Sequence, residues 1–217
     1  MLSSHTLSEH ESRKLLADHG VPMAPWGVAA TAEEAATEAE QLGFPAVAKL
    51  TGPAIAHKTE RGLVRLALAD AEAVSAAASE LLQAARPQDG EVGVLVSPML
   101  SGTRELIIGL HHDPRFAMTV MVGIGGVQAE ARADTAFRLA PISRLDAHEM
   151  IDDLQNQALL GEFRGEPAVD RDLLAAALVG LSEAAGARSD VVGADVNPLI
   201  VVDGAPVGVD ALVECRP

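Results

Sequence analysis

Apolar and polar residues alternate along the chain in patterns that predict both helices and strands. A capping-box pair, Ser8 and Glu11, followed by apolar residues and then Gly20, predicts a helix over residues 9 to 19. The same signals predict further helices from Thr31 to Gly43, from Asp70 to Arg86, over roughly 144 to 160, and from Asp170 to Ala187.

Short apolar runs bounded by turn residues predict strands between these helices. The runs are FPAVAKL (44–50), VRLALA (64–69), VGVLVSPML (92–100), RELIIGLHH (104–112), AMTVMVG (117–123) and two runs after residue 190. Three strands in succession do not fit strict βαβ alternation, so we expect an α+β fold.

The last two runs flank Asp203 and Gly204, a pair typical of a two-residue type I′ hairpin turn. Counting back from that turn places Asn197 opposite Asp210, with Cβ atoms about 4.5–5.5 Å apart on one face of the hairpin. Asp195 points to the same face, because side chains alternate along a strand. Pro198 lacks an amide hydrogen, so we expect the pairing to be disturbed there.

These three side chains offer the oxygen donors that Mg²⁺ prefers when it binds one or two carboxylates together with substrate phosphates. A polar sheet face, with Asn197 forming a turn before Pro198, explains the same pattern without a metal. The hairpin geometry alone leaves both readings open.

The net charge and the aromatic content of the chain indicate which kinds of molecule it can bind. The 217 residues carry a net charge of -15 and only 2% aromatic side chains, which disfavours nucleic acid as a partner. The length indicates one compact unit of two lobes. A single cysteine and the lack of a signal peptide or a membrane-spanning run lead us to expect a cytoplasmic protein without a membrane partner.

Three further stretches carry candidate chemistry. Lys49 ends an apolar run, where a lysine either reaches water or meets an anion. GIGG (123–126) fits neither common phosphate-loop pattern, so we expect a tight glycine turn. AHKTERGLV (56–64) sets five polar residues in a row, and a solvated surface loop is its simplest interpretation.

Several blocks in register carry a family resemblance: VAKLTGPAIAHKTERGLVRLAL, VLVSPMLSGTRELIIGLHHDPRF, VGIGGVQAEARADTAFRLAPIS, LLGEFRGEPAVD and ADVNPLIVVDGAPVGVDALV. Together they resemble the ATP-grasp domain of the ADP-forming acyl-CoA synthetases, relatives of the succinyl-CoA synthetase β subunit. The resemblance covers nearly the whole chain. It implies two α+β lobes that clasp a nucleotide, with residues 1–102 in the first lobe and 103–217 in the second.

The resemblance also implies a set of site residues. Lys49 matches the nucleotide-contacting lysine, and Glu105 matches the acidic residue near the ribose. The segment that meets adenine through backbone groups falls on Ser97, Met99 and Leu100. The Mg²⁺ ligands fall on Asn197 and Asp210, the two residues that the hairpin register sets face to face.

In this light AHKTERGLV resembles a mobile loop over the triphosphate, in which Lys58 neutralises phosphate charge and His57 carries a phosphoryl group. The implied reaction is acyl-CoA + ADP + phosphate ⇌ carboxylic acid + CoA + ATP, through acyl phosphate and phosphohistidine. Neutral imidazole suits that task because it is nucleophilic near neutral pH.

The chain contains no CoA-binding or ligase domain of this family, so we expect a nucleotide-binding subunit that works with a CoA-binding α subunit. It departs from the family pattern at Gly193, where an acidic residue is common, at Glu60 and Leu63 in the loop, and at Ala117, where glycine is usual. The departures at Gly193 and at Gly62-Leu63 motivate an alternative, a non-catalytic nucleotide sensor. An ATP-grasp carboxylate-amine ligase is a further alternative, although the sequence shows no acceptor site for it.

Overall fold

The computed structural model describes residues 5–55, 58–126 and 134–216. The chain divides into two compact units. One unit, here called the large unit, contains the described residues of Met1–His5, Ser12–Met23 and Leu100–Pro217. The other, the small unit, contains Thr6–Glu11 and Ala24–Met99. The predicted lobe boundary at residue 102 remains a prediction.

Helices and strands contribute in similar measure. The helices are α1 (Glu9–Asp18), α2 (Ala32–Leu42), α3 (Ala71–Gln83), α4 (Arg144–Asp152) and α5 (Arg171–Ala187). The strands are β1 (His5–Thr6), β2 (Gly27–Ala29), β3 (Ala46–Thr51), β4 (Val64–Leu68), β5 (Gly93–Pro98), β6 (Glu105–Asp113), β7 (Ala117–Ile124), β8 (Thr135–Leu139), β9 (Val191–Val202), β10 (Ala205–Gly208) and β11 (Leu212–Cys215). The pairings described for β2 to β11 are antiparallel, which confirms the α+β class.

Local capping explains where the helices begin. Thr31 and Glu34 form the predicted capping box, in which each side chain accepts from the backbone of the other residue. The Asp70 side chain accepts from the Ala73 amide at 2.8 Å and starts α3. The helix predicted over 144–160 is shorter in the structure, because α4 ends at Asp152 and a separate 3₁₀ turn covers Gln157–Leu159.

The small unit is a four-stranded sheet in the order β2-β5-β3-β4, among the described residues, with α2 and α3 packed against it. Its core is rich in small aliphatic side chains such as Ala48, Val96 and Ala78. Alanines at the buried positions of α2 and α3 allow the helices to approach the sheet closely. This packing makes β3, the central apolar strand, buried along its whole length.

The large unit is built on a sheet that has seven strands among the described residues, in the order β1-β11-β9-β6-β7-β8, with β10 also paired to β9. Helix α5 contacts β6, β7 and β9, and α4 packs on α5 and β8. Alternate residues of β6, including Ile108 and Leu110, are buried. The residues between them, such as Gly109 and His111, belong to the opposite face of the sheet.

The carboxy-terminal hairpin has the predicted turn and register. Asp203 and Gly204 have φ values of 48° and 86°, as a type I′ turn requires. Pairs run from Ala205↔Val202 to Gly208↔Leu199 and resume in the same register at Leu212↔Asp195. The interruption falls where Pro198 was expected to disturb the pairing.

Across the described residues, no helix has both the length and the apolar character that crossing a bilayer requires.

Candidate functional site

In the small unit, Lys49 lies inside a strand rather than at the end of one. It pairs with Leu95 on β5 and Val64 on β4, and the residue is only 6% exposed. Its Nζ lies 2.8 Å from Oε1 of Glu9, the first residue of α1. The side chain therefore meets an anionic group instead of extending into water, which is the second of the two outcomes expected for it.

The same glutamate also contacts Lys58. The Lys58 Nζ lies 2.7 Å from Glu9 Oε2, and the Glu9 side chain is fully buried. One carboxylate thus contacts both lysines that the resemblance assigns to the nucleotide, one on each oxygen. Glu9 itself was not predicted as a site residue.

His57, the predicted phosphoryl carrier, lies outside the described residues. The segment after it forms a turn in which the Leu63 amide donates to the Lys58 carbonyl at 2.8 Å, and Gly62 has a φ of 66°. Leu63, which departs from the family's glycine, is buried in the core of the small unit. The substitution is therefore accommodated by packing.

Ser97 and Met99 mark the end of the small unit. Ser97 is buried on β5, opposite Val47 on β3. The Met99 amide donates to the Pro45 carbonyl at 2.8 Å, so this backbone donor is engaged within the chain. Leu100 is the first residue of Leu100–Pro217, the longest segment of the large unit. The role of this segment in binding adenine stays a prediction.

In the large unit, Glu105 begins β6 and pairs with Ile200 on β9. Its carbonyl accepts from the Gly125 amide at 2.7 Å. A Cβ on Gly125 would lie 3.1 Å from the carbonyl carbon and oxygen of Glu105, so the chain can approach this closely only without a side chain at residue 125. Gly123 and Ile124 belong to β7, and residues 127–133 lie outside the described part of the chain, so the tight glycine turn expected at GIGG stays a prediction.

Asn197 and Asp210 occupy facing positions by register, since the pairs on both sides of the interruption share one alignment. Asp195 lies on the same face, directly opposite Leu212. Desolvation by the surrounding protein raises the pKa of the Asp195 carboxyl, and the negative charge of Asp210 raises it further. The two carboxylates are thus close enough to repel each other, a repulsion that a divalent cation would relieve.

These donors fit Mg²⁺ chemically, because carboxylate and amide oxygens are the ligands it takes alongside phosphate. Over the described part of the chain, no group of three or more His, Cys, Asp or Glu side chains is arranged to hold a metal by itself. Asn197 is an amide and does not belong to these residue types.

A cavity of about 550 Å³ lies beside Asp195 on the same sheet face. Strands β6 to β9 and β11 line it, with an apolar wall that includes Met121, Phe116 and Phe137. Phe116 and Phe137 are each 56% exposed, which is unusual for large apolar side chains. The carboxylate of Asp195 therefore borders an open, largely apolar cavity.

The departure at Gly193 has a structural counterpart. Gly193 pairs directly with Glu214 on β11, and both residues line the cavity. A Cβ built on Gly193 would lie 3.5 Å from Glu214 Oε2. A carboxylate therefore occupies this part of the face, although it comes from the neighbouring strand.

Arg104 is a buried residue that the sequence did not single out. Its guanidinium donates to the carbonyls of Leu159, Gly161 and Pro167 at 3.3, 2.9 and 2.6 Å and pairs with Glu166 at 3.2 Å. These bonds fix the EFRGEP loop. Arg164, within that loop, instead stacks over the Phe163 ring at 5.1 Å and is exposed.

Known proteins resemble this chain over most of its length. Residues 2–215 match the ATP-grasp domain family. The β subunit of acetate–CoA ligase [ADP-forming] I from Pyrococcus furiosus is 34% identical over 208 residues, which cover 94% of this chain and 90% of that subunit.

Acetate–CoA ligase [ADP-forming] I from Archaeoglobus fulgidus is 35% identical over 203 residues. The match covers 92% of this chain but only 30% of that protein, so the chain spans about a third of this longer relative.

Among solved structures, acetyl-coenzyme A synthetase 1 from Candidatus Korarchaeum cryptofilum superposes with a TM-score of 0.82 at 34% identity, covering 98% of this chain and 93% of that chain. That structure was determined in complex with coenzyme A and Mg-AMPPCP, with its phosphohistidine segment pointing towards the nucleotide binding site.

Proposed function

Because the chain belongs to the ATP-grasp family, among the β subunits of the ADP-forming acid–CoA ligases, we propose that it is the nucleotide-binding subunit of such an enzyme. The observation that carries this proposal is the match to a separate β subunit over 90% of that subunit's length. The resemblance inferred from the sequence blocks is thereby confirmed, as is the ATP-grasp fold.

In this proposal Lys49 and Lys58 contact the phosphates of ATP or ADP, and their positive charge offsets the negative charge of the triphosphate. The segment that includes Ser97, Met99 and Leu100 contacts the adenine, chiefly through backbone groups. Glu105 binds the ribose hydroxyls. The charges support this assignment. Although the chain has a net charge of -15, two of its ammonium groups lie together on one buried carboxylate.

Asn197 and Asp210, with Asp195 beside them, would hold Mg²⁺ together with phosphate oxygens. When bound, the cation neutralises charge on the transferring phosphoryl group. The chain's own contribution is to present two oxygen ligands at facing positions of one hairpin, held by the register on either side of the break.

The reaction we propose is acyl-CoA + ADP + phosphate ⇌ carboxylic acid + CoA + ATP, with His57 as a phosphoryl carrier. The acyl and CoA sites are assigned to a separate CoA-binding α subunit, in keeping with relatives that are named as β subunits. The alternative function, a non-catalytic nucleotide sensor, was motivated partly by the lack of an acidic side chain at Gly193. The Glu214 carboxylate beside Gly193 supports the enzyme over the sensor.

Lys49→Met tests the proposal. This variant leaves the contact between Glu9 and Lys58 in place, so the buried carboxylate keeps a counter-ion and the fold should be retained. We expect calorimetry to show Mg·ATP binding by the wild-type chain and a loss of about tenfold or more in affinity for the variant, because a charged contact to phosphate is removed. Lys14→Met, which removes the exposed lysine of the i,i+4 pair with Asp18, is the matched control.

Turnover is measured after mixing the chain with its CoA-binding partner and following acyl-CoA, ADP and phosphate. Nucleotide binding without turnover on any common acyl-CoA would favour the sensor. An equal affinity for Mg·ATP in the wild type and the Lys49 variant would contradict the proposed site.

A further inference from the structure

The chain contains three lysines, and two of them meet on a single carboxylate. Lys49 and Lys58 contact the two oxygens of Glu9 at 2.8 and 2.7 Å. The lysine side chains are 8% and 11% exposed, and the glutamate is fully buried. Glu9 lies 40 residues from Lys49 in sequence, so this contact depends on the fold of the small unit.

Local sequence fixes where Glu9 stands. The Ser8 hydroxyl donates to Glu11 Oε2 at 2.7 Å, and the Ser8 amide donates to the same oxygen at 3.0 Å. The Glu11 amide in turn donates to the Ser8 hydroxyl at 3.3 Å, completing a capping box. Glu9 is therefore the first residue of α1, where the helix dipole favours a negative charge.

The cluster brings two like charges together. Two ammonium groups contact one carboxylate in a poorly solvated position. Two like charges stay close together at low cost only when a counter-ion lies between them. The Glu9 carboxylate therefore holds both lysines near each other.

We infer that Glu9 is a positioning residue that holds Lys49 and Lys58 as a pair for the phosphates of the nucleotide. The inference rests on the proposed function, which supplies the anion. Glu9 acts through the lysines: its carboxylate fixes both ammonium groups from the protein side, so that neither has to be ordered when phosphate binds. Phosphoryl transfer depends on such positioning and on charge neutralisation.

Glu9→Gln tests this role, because it removes the charge and keeps the shape. We expect the rate of phosphoryl transfer with the CoA-binding partner to fall about tenfold or more, while the Kd for Mg·ATP changes by less than about threefold. The added positive charge on the lysines offsets their poorer placement for binding but not for catalysis. Glu11→Gln removes the same charge two residues along, and Gln can still complete the capping box, so its rate should stay within about twofold of wild type.

A double-mutant cycle with Lys58→Met separates positioning from general damage to the fold. If Glu9 acts through Lys58, the losses from Glu9→Gln and Lys58→Met are not multiplicative, and the double variant is faster than their product predicts. Rates that multiply independently would overturn the inference, as would an unchanged rate in Glu9→Gln.

Glu9→Asp covers the case in which Glu9→Gln does not fold. Aspartate keeps the balancing charge but is one methylene shorter, so it cannot keep both contacts. We expect a folded variant with a reduced rate, and a wild-type rate would overturn the inference, because the contacts to both lysines would then not be needed. Failure of the proposed function is distinct, because the wild-type chain itself would then bind no Mg·ATP.

Discussion

Arg61 and Asp89 form a bidentate ion pair. It joins the segment after residue 57 to the 3₁₀ turn that follows α3. The Arg61 Nη1 and Nη2 atoms donate to the two Asp89 oxygens at 2.9 and 2.8 Å, and the Arg86 amide donates to Asp89 Oδ2 at 2.8 Å. Asp89 is 1% exposed. The pair therefore anchors one end of the stretch that carries Lys58.

This pair makes stability depend on pH in the acid range. The Arg61 hydrogen bonds, with the Arg86 amide second, lower the pKa of Asp89 from 3.8 to about 2. Asp89 in the folded state thus stays ionised where it would be protonated in the unfolded state. Its stabilisation is complete above the unfolded pKa and is lost as the pH falls through the folded value.

We expect Asp89→Asn to lower the free energy of unfolding at neutral pH and to remove this part of the acid dependence. The difference between wild type and variant should shrink as the pH falls from 3.8 towards about 2. Urea unfolding at a series of pH values measures it. Glu80→Gln, which breaks the solvent-exposed pair with Arg65, is the control and should show little effect. A difference for Asp89 that does not vary with pH would contradict this explanation.

Asp210→Asn tests the proposed Mg²⁺ ligands. We expect nucleotide affinity in Mg²⁺ to fall about tenfold or more, because an anionic oxygen ligand is replaced by a neutral amide. In excess chelator the variant should bind ATP no more weakly than wild type, since a negative charge near the phosphates has been removed. Calorimetry with and without Mg²⁺ measures both affinities.

Asp203→Asn is the matched control for that experiment. It removes the same charge at the tip of the same hairpin, where φ is 48° and asparagine is well tolerated. Equal losses for Asp210→Asn with and without Mg²⁺ would exclude a role specific to the metal.

We expect the Glu214 carboxylate on β11 to take the place of the acidic side chain that Gly193 on β9 lacks. Glu214→Gln should lower turnover about tenfold if this face needs an acidic group next to Asp195. Adding Gly193→Glu to that variant should restore part of the activity, because paired residues place their side chains on the same face. Turnover that is equal in wild type and Glu214→Gln would show that this carboxylate is dispensable.

Ala117 carries a backbone cost that its family counterpart avoids. Its φ is 62°, in the left-handed region, where the resembling family usually has glycine. Ala117→Gly should therefore raise the free energy of unfolding by about 1 kcal/mol. Ala205→Gly, within β10, should instead lower it by about 0.5–1 kcal/mol, since glycine there adds only unfolded-state freedom. Thermal and urea unfolding compare the two, and a destabilised Ala117→Gly would refute the strain argument.

His57→Ala tests the proposed phosphoryl carrier. Turnover with the CoA-binding partner should fall about a hundredfold or more, while the Kd for Mg·ATP stays within about twofold, because only the transfer step needs the imidazole. His19→Ala, which removes a ring bonded to the Leu15 carbonyl near the end of α1, serves as control. An unchanged turnover would return His57 to the simpler interpretation of a residue in a solvated loop.

Most of the helices and strands could be predicted, because the residues that specify them are close together in the sequence. The Asp203-Gly204 turn fixed the register of the hairpin, and capping residues fixed the helix starts. Strand β8 was missed because its exposed residues, Phe137 and Leu139, are apolar, so the strand lacks the usual alternation with a polar outer face. Strand β2 was missed because three residues carry too little pattern.

The site was predicted less completely, for a physical reason. Asn197 and Asp210 could be paired by counting, since a hairpin relates near neighbours. Glu9 and Arg104 could not, because their partners lie 40 or more residues away and a single glutamate or arginine has no pattern of its own. The capping box at Ser8 was the one signal near Glu9, and it indicated a helix start rather than a contact.

The break in the hairpin also limits how the chain can vary in length. Strands β10 and β11 pair with β9 in one alignment although residues 209 to 211 separate them. Losing or gaining one residue in this connection would rotate β11 by half a period, moving Val213 to the cavity side and Leu212 and Glu214 towards the helices. Point substitutions between Gly208 and Leu212 should thus be tolerated in evolution far more readily than single-residue insertions or deletions.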